Sequence, residues 1–218
     1  LLPKHGLGQN FLLDETVLLD MIDQSGLSAD QTVLEIGPGI GTLTEQLLLN
    51  CHRVLAIEKD RSFKHLLADM QSRYSNLHYE FGDILNFDIL SAIGQGVEYR
   101  VIANIPYYIT GKIIQKFLSL PRVPLSLTIL VQKEVAKNVV AKAGQMNLLG
   151  LSVQLKATAH IIRQVPATSF YPIPKVDSAV LHIDLIKRPE LETYNEKVLF
   201  RLAKACFSGK RKQLHNTL

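Results

Sequence analysis

Residues 33–42 read VLEIGPGIGT, an apolar run that leads into a turn with glycine at 37, 39 and 41. The apolar run has the length and composition of a buried strand, and helical spacing begins at Thr42. Glycine lets a ligand approach the backbone closely, and open α/β sheets bind ligands at the carboxyl ends of their strands. The stretch therefore predicts a strand, a ligand-binding turn and a helix.

Apolar runs and helical patterns alternate along the rest of the chain. The patterns predict strands over 32–36, 53–57, 77–81, 99–103 and 125–131, and helices over 15–24, 42–50, 61–72, 110–119 and 133–142. Such alternation is typical of βαβ units and of a mainly parallel sheet covered on both faces. Residues 157–165 and 176–186 are expected to form an antiparallel edge.

Composition limits the classes of protein to consider. The 218 residues are 47% hydrophobic, which suits one domain with at most a small appendage, and the net charge of +4 is compatible with a polyanionic partner. No apolar run approaches the roughly 20 residues of a membrane span, and Cys51 and Cys206 form no metal-binding or disulfide pattern. We expect a cytoplasmic monomer without a metal site. Because the chain begins at Leu1, we also expect residues before it.

The glycine turn favours a nucleoside cofactor over a dinucleotide. The dinucleotide fingerprint needs glycine at a position that Thr42 occupies here. Pro38 has no N–H to offer a phosphate. Glu58, at the end of the second predicted strand, is placed to accept hydrogen bonds from both ribose hydroxyls. After the third predicted strand, Asp83 is placed to accept a hydrogen bond from an adenine amino group, beside the apolar side chain of Ile84. Alone, Glu58 reads as a solvated charge and Asp83 as a helix cap.

Residues 104–107, Asn-Ile-Pro-Tyr, follow the fourth predicted strand and supply a plausible catalytic segment. An aromatic amine is a poor nucleophile because its lone pair is delocalised into the ring. The Asn104 side-chain oxygen and the Ile105 carbonyl can accept its hydrogens and direct the lone pair at an electrophilic methyl group. Pro106 stiffens the turn, and Tyr107 can stack on the base. The alternative is a strand that ends in a proline turn with a core tyrosine.

A second aromatic residue precedes a proline-rich loop. Residues 169–178 read SFYPIPKVDS, and the prolines predict a rigid, extended segment. Phe170 is predicted to close the other face of the base. The alternative is that Phe170 packs in the core beneath the loop.

Five motifs occur in order: QNFL (9–12), EIGPG (35–39), NIPY (104–107), QKEVA (132–136) and FYPIPKVDSAV (170–180). Together they resemble the ribosomal RNA adenine dimethylase family. The resemblance implies a Rossmann-like class I methyltransferase fold over residues 1–187, with a mainly parallel sheet and an antiparallel edge strand. It also implies that residues 188–218 begin a small helical C-terminal domain that is cut short here. The cofactor implied is S-adenosyl-L-methionine, with contacts at Asn10, Leu12, Gly37, Glu58, Asp83 and Asn104.

Within the family, the chain looks like the KsgA type, which dimethylates N6 of two adjacent adenines near the 3′ end of small-subunit (16S) rRNA. Pro38 and the late RKQLHNTL (211–218) favour this branch over the sister Erm branch, which acts on large-subunit rRNA. The implied partner is the immature small ribosomal subunit. Lys210, Arg211 and Lys212 are expected to contact phosphates, unless they are merely a solvated helix end. Alternatives are an Erm-type or DNA adenine methylase, and an assembly factor acting mainly by rRNA binding.

Overall fold

The computed structural model describes residues 8–186 and 195–208. Its helices and strands alternate over most of the chain. In order they are β1 (Phe11–Leu12), α1 (Glu15–Asp23), β2 (Thr32–Ile36), α2 (Thr42–Asn50), β3 (Arg53–Glu58), α3 (Lys64–Arg73), β4 (Leu77–Phe81), α4 (Ile89–Ile93), β5 (Tyr99–Asn104), α5 (Thr110–Ser119), β6 (Ser126–Gln132), α6 (Lys133–Val139), α7 (Leu148–Lys156), β7 (Ala157–Val165), β8 (Phe170–Tyr171), β9 (Ser178–Leu185) and α8 (Glu196–Ser208).

Seven strands form one sheet in the order β4-β3-β2-β5-β6-β9-β7. The first five are parallel, whereas β9 runs antiparallel to both β6 and β7. The predicted antiparallel edge is therefore present, with β7 outermost. The chain passes from β2 to β3 and β4 on one side and then crosses to β5 and β6 on the other. This reversal opens a crevice at the carboxyl ends of β2 and β5, where such sheets bind ligands.

Both faces of the sheet are buried, which explains why the strands read as continuous apolar runs. Along β2, Leu34 belongs to one core cluster and Val33 to the other. Phe117 of α5 packs in the first cluster, and Met21 of α1 packs in the second. Each large side chain buried in this way stabilises the fold by about 1.5–3 kcal/mol.

Most predicted elements are confirmed to within a few residues, but two helices were missed. Helix α4 has only five residues, too few to show a helical period, and it is capped by Asp88 and Gly94. Helix α7 contains Gly150, a poor helix former, and lacks a clear polar face. The glycine is required because a Cβ at 150 would collide with the Asn138 carbonyl oxygen. The predicted helix over 133–142 was too long, since α6 ends at Val139.

The N-terminal segment lies across the carboxyl edge of the large sheet. Strand β1 pairs with β8, with Phe11 opposite Tyr171 and Leu12 opposite Phe170. The Leu13 N–H also donates to the Ser169 carbonyl at 2.9 Å. These contacts attach the start of the chain to the proline-rich loop. The predicted boundary at 187/188 and the basic residues Lys210, Arg211 and Lys212 lie outside the described residues.

Candidate active site

The glycine turn after β2 uses its own N–H groups internally. The Gly37 N–H donates to the Ile57 carbonyl at 2.9 Å, and the Gly41 N–H donates to the Pro38 carbonyl at 2.9 Å. The Gly39 N–H donates to Glu58 Oε2 at 3.0 Å. Pro38 contributes no donor. A turn whose donors are committed in this way is poorly suited to a pyrophosphate, which agrees with the sequence argument against a dinucleotide.

Two of these glycines also permit close packing. Gly39 has a φ of 57°, and a Cβ there would lie 3.1 Å from the Phe11 ring. Gly41 has a φ of 85°, and a Cβ there would lie 2.6 Å from Met70 Sδ. A side chain at either position would be strained and crowded. The turn can therefore lie directly beneath the N-terminal segment.

Glu58 ends β3 with a buried carboxylate that faces the turn. Its Oε1 accepts from the Asp60 N–H at 2.7 Å, while Oε2 accepts from Gly39. Burial raises the pKa of Glu58, and the backbone hydrogen bonds partly oppose that effect. Each carboxylate oxygen has a second lone pair, so Glu58 retains the capacity to accept from the hydroxyls of a ligand.

Asp83 follows β4 and is paired with Lys59. Lys59 Nζ lies 2.9 Å from Asp83 Oδ2, and Asp83 Oδ1 accepts from the Leu85 N–H at 3.0 Å. The hydrogen bond from Lys59 lowers the pKa of Asp83, so its carboxylate stays ionised. Because the Lys59 side chain is 53% exposed, its pairing is weak and easily shared with a ligand donor.

The amide of Asn104 has a defined orientation. Asn104 Nδ2 donates to the Asn10 backbone carbonyl at 3.1 Å, a contact between residues 94 positions apart. A backbone carbonyl can only accept, so the nitrogen must lie on that side and Oδ1 on the other. Asn104, Ile105 and Pro106 all line a cavity at the carboxyl ends of the parallel strands. The sequence predicted Asn104 as a site residue but did not reveal that the N-terminal segment orients it.

Tyr107 and Tyr108 follow in a short 3₁₀ turn. The Tyr107 hydroxyl lies 2.6 Å from Ser178 Oγ, and burial raises the pKa of Tyr107. The Tyr108 side chain is exposed but also lines the cavity, and a Cβ at Gly8 would lie 3.3 Å from its ring. Sequence reasoning missed Tyr108, although its position directly after Tyr107 in the same turn was a usable signal.

The structure corrects the placement of Phe170. Its ring is 2% exposed and belongs to the core cluster that also contains Leu12 and Val180. Phe170 is absent from the described residues that line the cavity. Phe170 lies opposite Leu12 in the β1–β8 pair and packs against the core with it, so the core-packing alternative describes Phe170. Tyr107 and Tyr108, by contrast, do line the cavity.

The remaining predicted site residues meet in one cavity at the carboxyl edge of the sheet. It also receives Glu35, a strand residue whose pKa burial raises to about 8. Sequence reasoning did not assign Glu35 a role. The predicted residues that line the cavity are Asn10, Leu12, Gly37, Glu58, Asp83, Asn104, Ile105, Pro106 and Tyr107.

The described residues offer neither a metal cluster nor a membrane-spanning helix. Over residues 8–186 and 195–208, no three His, Cys, Asp or Glu side chains are grouped so as to hold a metal ion. Nor does that part of the chain include a helix with the length and apolarity of a membrane span.

The strand order, the glycine turn after β2, the acidic residue that ends β3 and the one that follows β4 define a Rossmann-like methyltransferase. Two solved structures resemble it over 95% of the chain. A dimethyladenosine transferase from Plasmodium falciparum has a TM-score of 0.81 and 28% identity, with 74% of that chain covered. The 23S rRNA methyltransferase ErmE has a TM-score of 0.80 and 26% identity, with 82% covered.

The chain belongs to the ribosomal RNA adenine dimethylase family, whose model matches residues 3–218. The ribosomal RNA small subunit methyltransferase A of Dehalococcoides mccartyi is 40% identical over 215 residues, covering 99% of this chain and 74% of the relative. The protein of the same name from Geobacillus thermodenitrificans is 39% identical over 222 residues, covering 99% and 75%. The family resemblance and the fold class inferred from the sequence are therefore confirmed.

Proposed function

We propose that this protein transfers methyl groups from S-adenosyl-L-methionine to N6 of two adjacent adenines near the 3′ end of small-subunit rRNA. The product is N6,N6-dimethyladenine, formed during small-subunit biogenesis. The orientation of Asn104 is the observation that carries the proposal, because it leaves Oδ1 available to an amino group in the cavity. The names of the curated relatives support the small subunit as the target.

The cavity residues divide into a cofactor half and a base half. In the cofactor half, Glu58 would accept from the ribose hydroxyls and Asp83 from the adenine amino group. Asn10 and Leu12 would cover the methionine end from the N-terminal segment. The committed N–H groups of the glycine turn and the ionised Asp83 fit a ligand that is a nucleoside rather than a pyrophosphate.

When bound, S-adenosyl-L-methionine supplies an electrophilic methyl group. In the base half, Asn104 Oδ1 and the Ile105 carbonyl accept the two hydrogens of the target amino group and orient its lone pair. Tyr107 stacks on the extruded base. These residues act by position, so no side chain has to remove a proton before transfer. After the first transfer the nitrogen releases one proton to solvent, so one hydrogen remains, and one acceptor is enough to hold the monomethylated amine.

We further propose that residues 1–187 form the methyltransferase domain and that residues 188–218 begin a helical rRNA-binding domain. Helix α8 lies in that second part, and Ala203 on it is buried. Lys210, Arg211 and Lys212 would contact phosphates and make rRNA binding depend on salt. The protein would act as a monomer in the cytoplasm.

Methyl transfer from labelled cofactor tests the substrate. The full chain is incubated with immature small subunits, with large-subunit rRNA and with duplex DNA. We expect dimethyladenine to form only with the immature small subunits. Transfer to large-subunit rRNA would favour the activity named for ErmE, and transfer to DNA would favour a DNA adenine methylase. Small-subunit binding without transfer to any substrate would favour an assembly factor.

Asn104→Asp tests the role of the amide with a side chain of the same size. The new carboxylate would place an oxygen about 3.1 Å from the Asn10 carbonyl, where no donor remains. We expect turnover to fall about 100-fold or more, the order seen when one preorganised polar group is lost. Asn104→Ala should also lose turnover while largely keeping cofactor binding.

The matched control is Asn50→Asp. Asn50 Nδ2 also donates to a backbone carbonyl, that of Gln46 at 2.8 Å, but on the exposed end of α2. This control should keep full turnover. Cofactor affinity is measured by calorimetry beside single-turnover methyl transfer. Unchanged turnover in Asn104→Ala and Asn104→Asp would refute the role given to Asn104.

A further inference from the structure

One hydrogen bond joins the catalytic segment to the end of the proline-rich loop. The Tyr107 hydroxyl and Ser178 Oγ lie 2.6 Å apart, although the residues are 71 positions apart in the chain. Ser178 is 0% exposed, whereas Tyr107 is half-buried at the edge of the cavity. The contact therefore joins Tyr107, which lines the cavity, to Ser178, which is not among the described residues that line it.

Ser178 is held by backbone contacts on both sides. As the first residue of β9 it lies opposite Gln132 of β6 and Val165 of β7. The preceding Asp177 is fixed as well, because its carbonyl accepts from the Lys133 N–H at 3.0 Å and its Oδ1 accepts from the Ala167 N–H at 3.2 Å. Ser178 thus has little freedom to move, which makes it a suitable anchor.

Tyr107 has few constraints of its own. It begins a three-residue 3₁₀ turn that follows Pro106, and none of the three side chains in that turn is fully buried. A tyrosine ring that is packed on one side can rotate about two side-chain bonds, and its hydroxyl needs a partner when water is excluded. Ser178 supplies that partner at a fixed point. Burial raises the pKa of the Tyr107 phenol, so it stays neutral, and either hydroxyl can donate in this bond.

We propose that Ser178 is a positioning residue that holds the ring of Tyr107 at the angle at which it stacks on the target base. The inference rests on the proposed function, since it needs a base to be bound beside Tyr107. Ser178 does not touch the reacting atoms and acts only through Tyr107. Its loss should therefore reduce turnover without weakening cofactor binding.

The test compares Ser178→Ala, Tyr107→Phe and the double variant in the full chain. Each single variant removes one side of the hydrogen bond and keeps the rest of the side chain. We expect each single change to lower kcat about tenfold, which corresponds to the loss of one hydrogen bond. The Kd for S-adenosyl-L-methionine should stay within about twofold of the wild type. The double variant should be no slower than either single variant, because the two changes remove the same interaction.

Ser152→Ala is the matched control for loss of a buried serine hydroxyl. Ser152 Oγ donates to the Leu148 carbonyl at 2.7 Å within α7, away from the cavity. This variant should keep the wild-type kcat. If Ser178→Ala fails to fold, Tyr107→Phe still carries the test, because Tyr107 lies in a half-exposed turn.

The outcomes separate this inference from the proposed function. A wild-type chain that methylates no adenine overturns both. An active wild type whose kcat is unchanged by Ser178→Ala and Tyr107→Phe overturns the role of Ser178 alone. Additive losses in the double variant would also overturn it, since they would show that the two residues act separately.

Discussion

Glu35 is a buried acid at the end of the cavity formed by the glycine turn. It is 1% exposed, and its Oε2 has no hydrogen-bond partner among the described residues. Burial raises the pKa of Glu35 to about 8; the interaction with the Thr44 hydroxyl opposes this shift, and repulsion from the Glu58 carboxylate adds to it. We therefore predict that the protein without cofactor carries Glu35 as a neutral acid at neutral pH. Glu35→Gln makes that state permanent.

The expected magnitude follows from the two pKa values. In the unfolded chain the group titrates near 4.5, whereas in the folded chain it titrates near 8. Between these values the unfolded state loses its proton and the folded state does not, so stability falls as pH rises, by up to about 1.4 kcal/mol per pH unit. Glutamine does not titrate. The stability of Glu35→Gln relative to the wild type should therefore increase by about 2 kcal/mol from pH 5 to pH 7.

The assay is denaturant unfolding of the cofactor-free protein at pH 5, 6, 7 and 8. The quantity compared is how the difference in unfolding free energy between variant and wild type changes with pH. Any pH-independent cost of the new amide cancels from that change. Glu80→Gln is the control for replacing a carboxylate by an amide, because Glu80 is exposed on β4. A pH-independent difference for Glu35→Gln would show that Glu35 is already ionised in the folded protein.

Two further predictions concern stability. Gly150→Ala should lower the free energy of unfolding by about 1–3 kcal/mol, because the new methyl group would collide with the Asn138 carbonyl. The control is Gly111→Ala, which should not lower it, because a Cβ at 111 meets no atom within 4 Å. Equal effects of the two changes in denaturant unfolding would contradict this reasoning. Burial lowers the pKa of His182, so the folded state resists a proton that the unfolded chain takes up near its usual 6.5. The contribution of His182 to stability should thus decline as pH falls from 7 to 5, opposite in direction to that of Glu35. The stability of His182→Gln relative to the wild type should therefore rise over that range, and a constant difference in denaturant unfolding would contradict this reasoning.

Much of the fold could be predicted because its signals are local. Strand β2 and helix α2 have the predicted bounds, since a run of apolar residues and the glycines after it are adjacent in the chain. The elements that were missed lack such a signal. Helix α4 is shorter than two turns. Strands β1 and β8 have only two residues each and lie far apart in the chain, so their pairing leaves no local pattern.

The sequence by itself also determined which residues would meet in the cavity. Parallel strands present their carboxyl ends at one edge, so Gly37, Glu58, Asp83 and Asn104 come together wherever the strand order is Rossmann-like. That argument needs only the position of each residue at the end of its strand. It says nothing about how each side chain is turned or what it contacts.

Only the tertiary structure decided those orientations. The Asn104 amide is oriented by a carbonyl 94 positions away, and the Tyr107 hydroxyl by a serine 71 positions away. Phe170 packs in the core cluster that contains Leu12, and burial raises the pKa of Glu35. Hydrogen bonding and desolvation depend on which groups surround an atom in three dimensions, and residue spacing along the chain does not specify those neighbours.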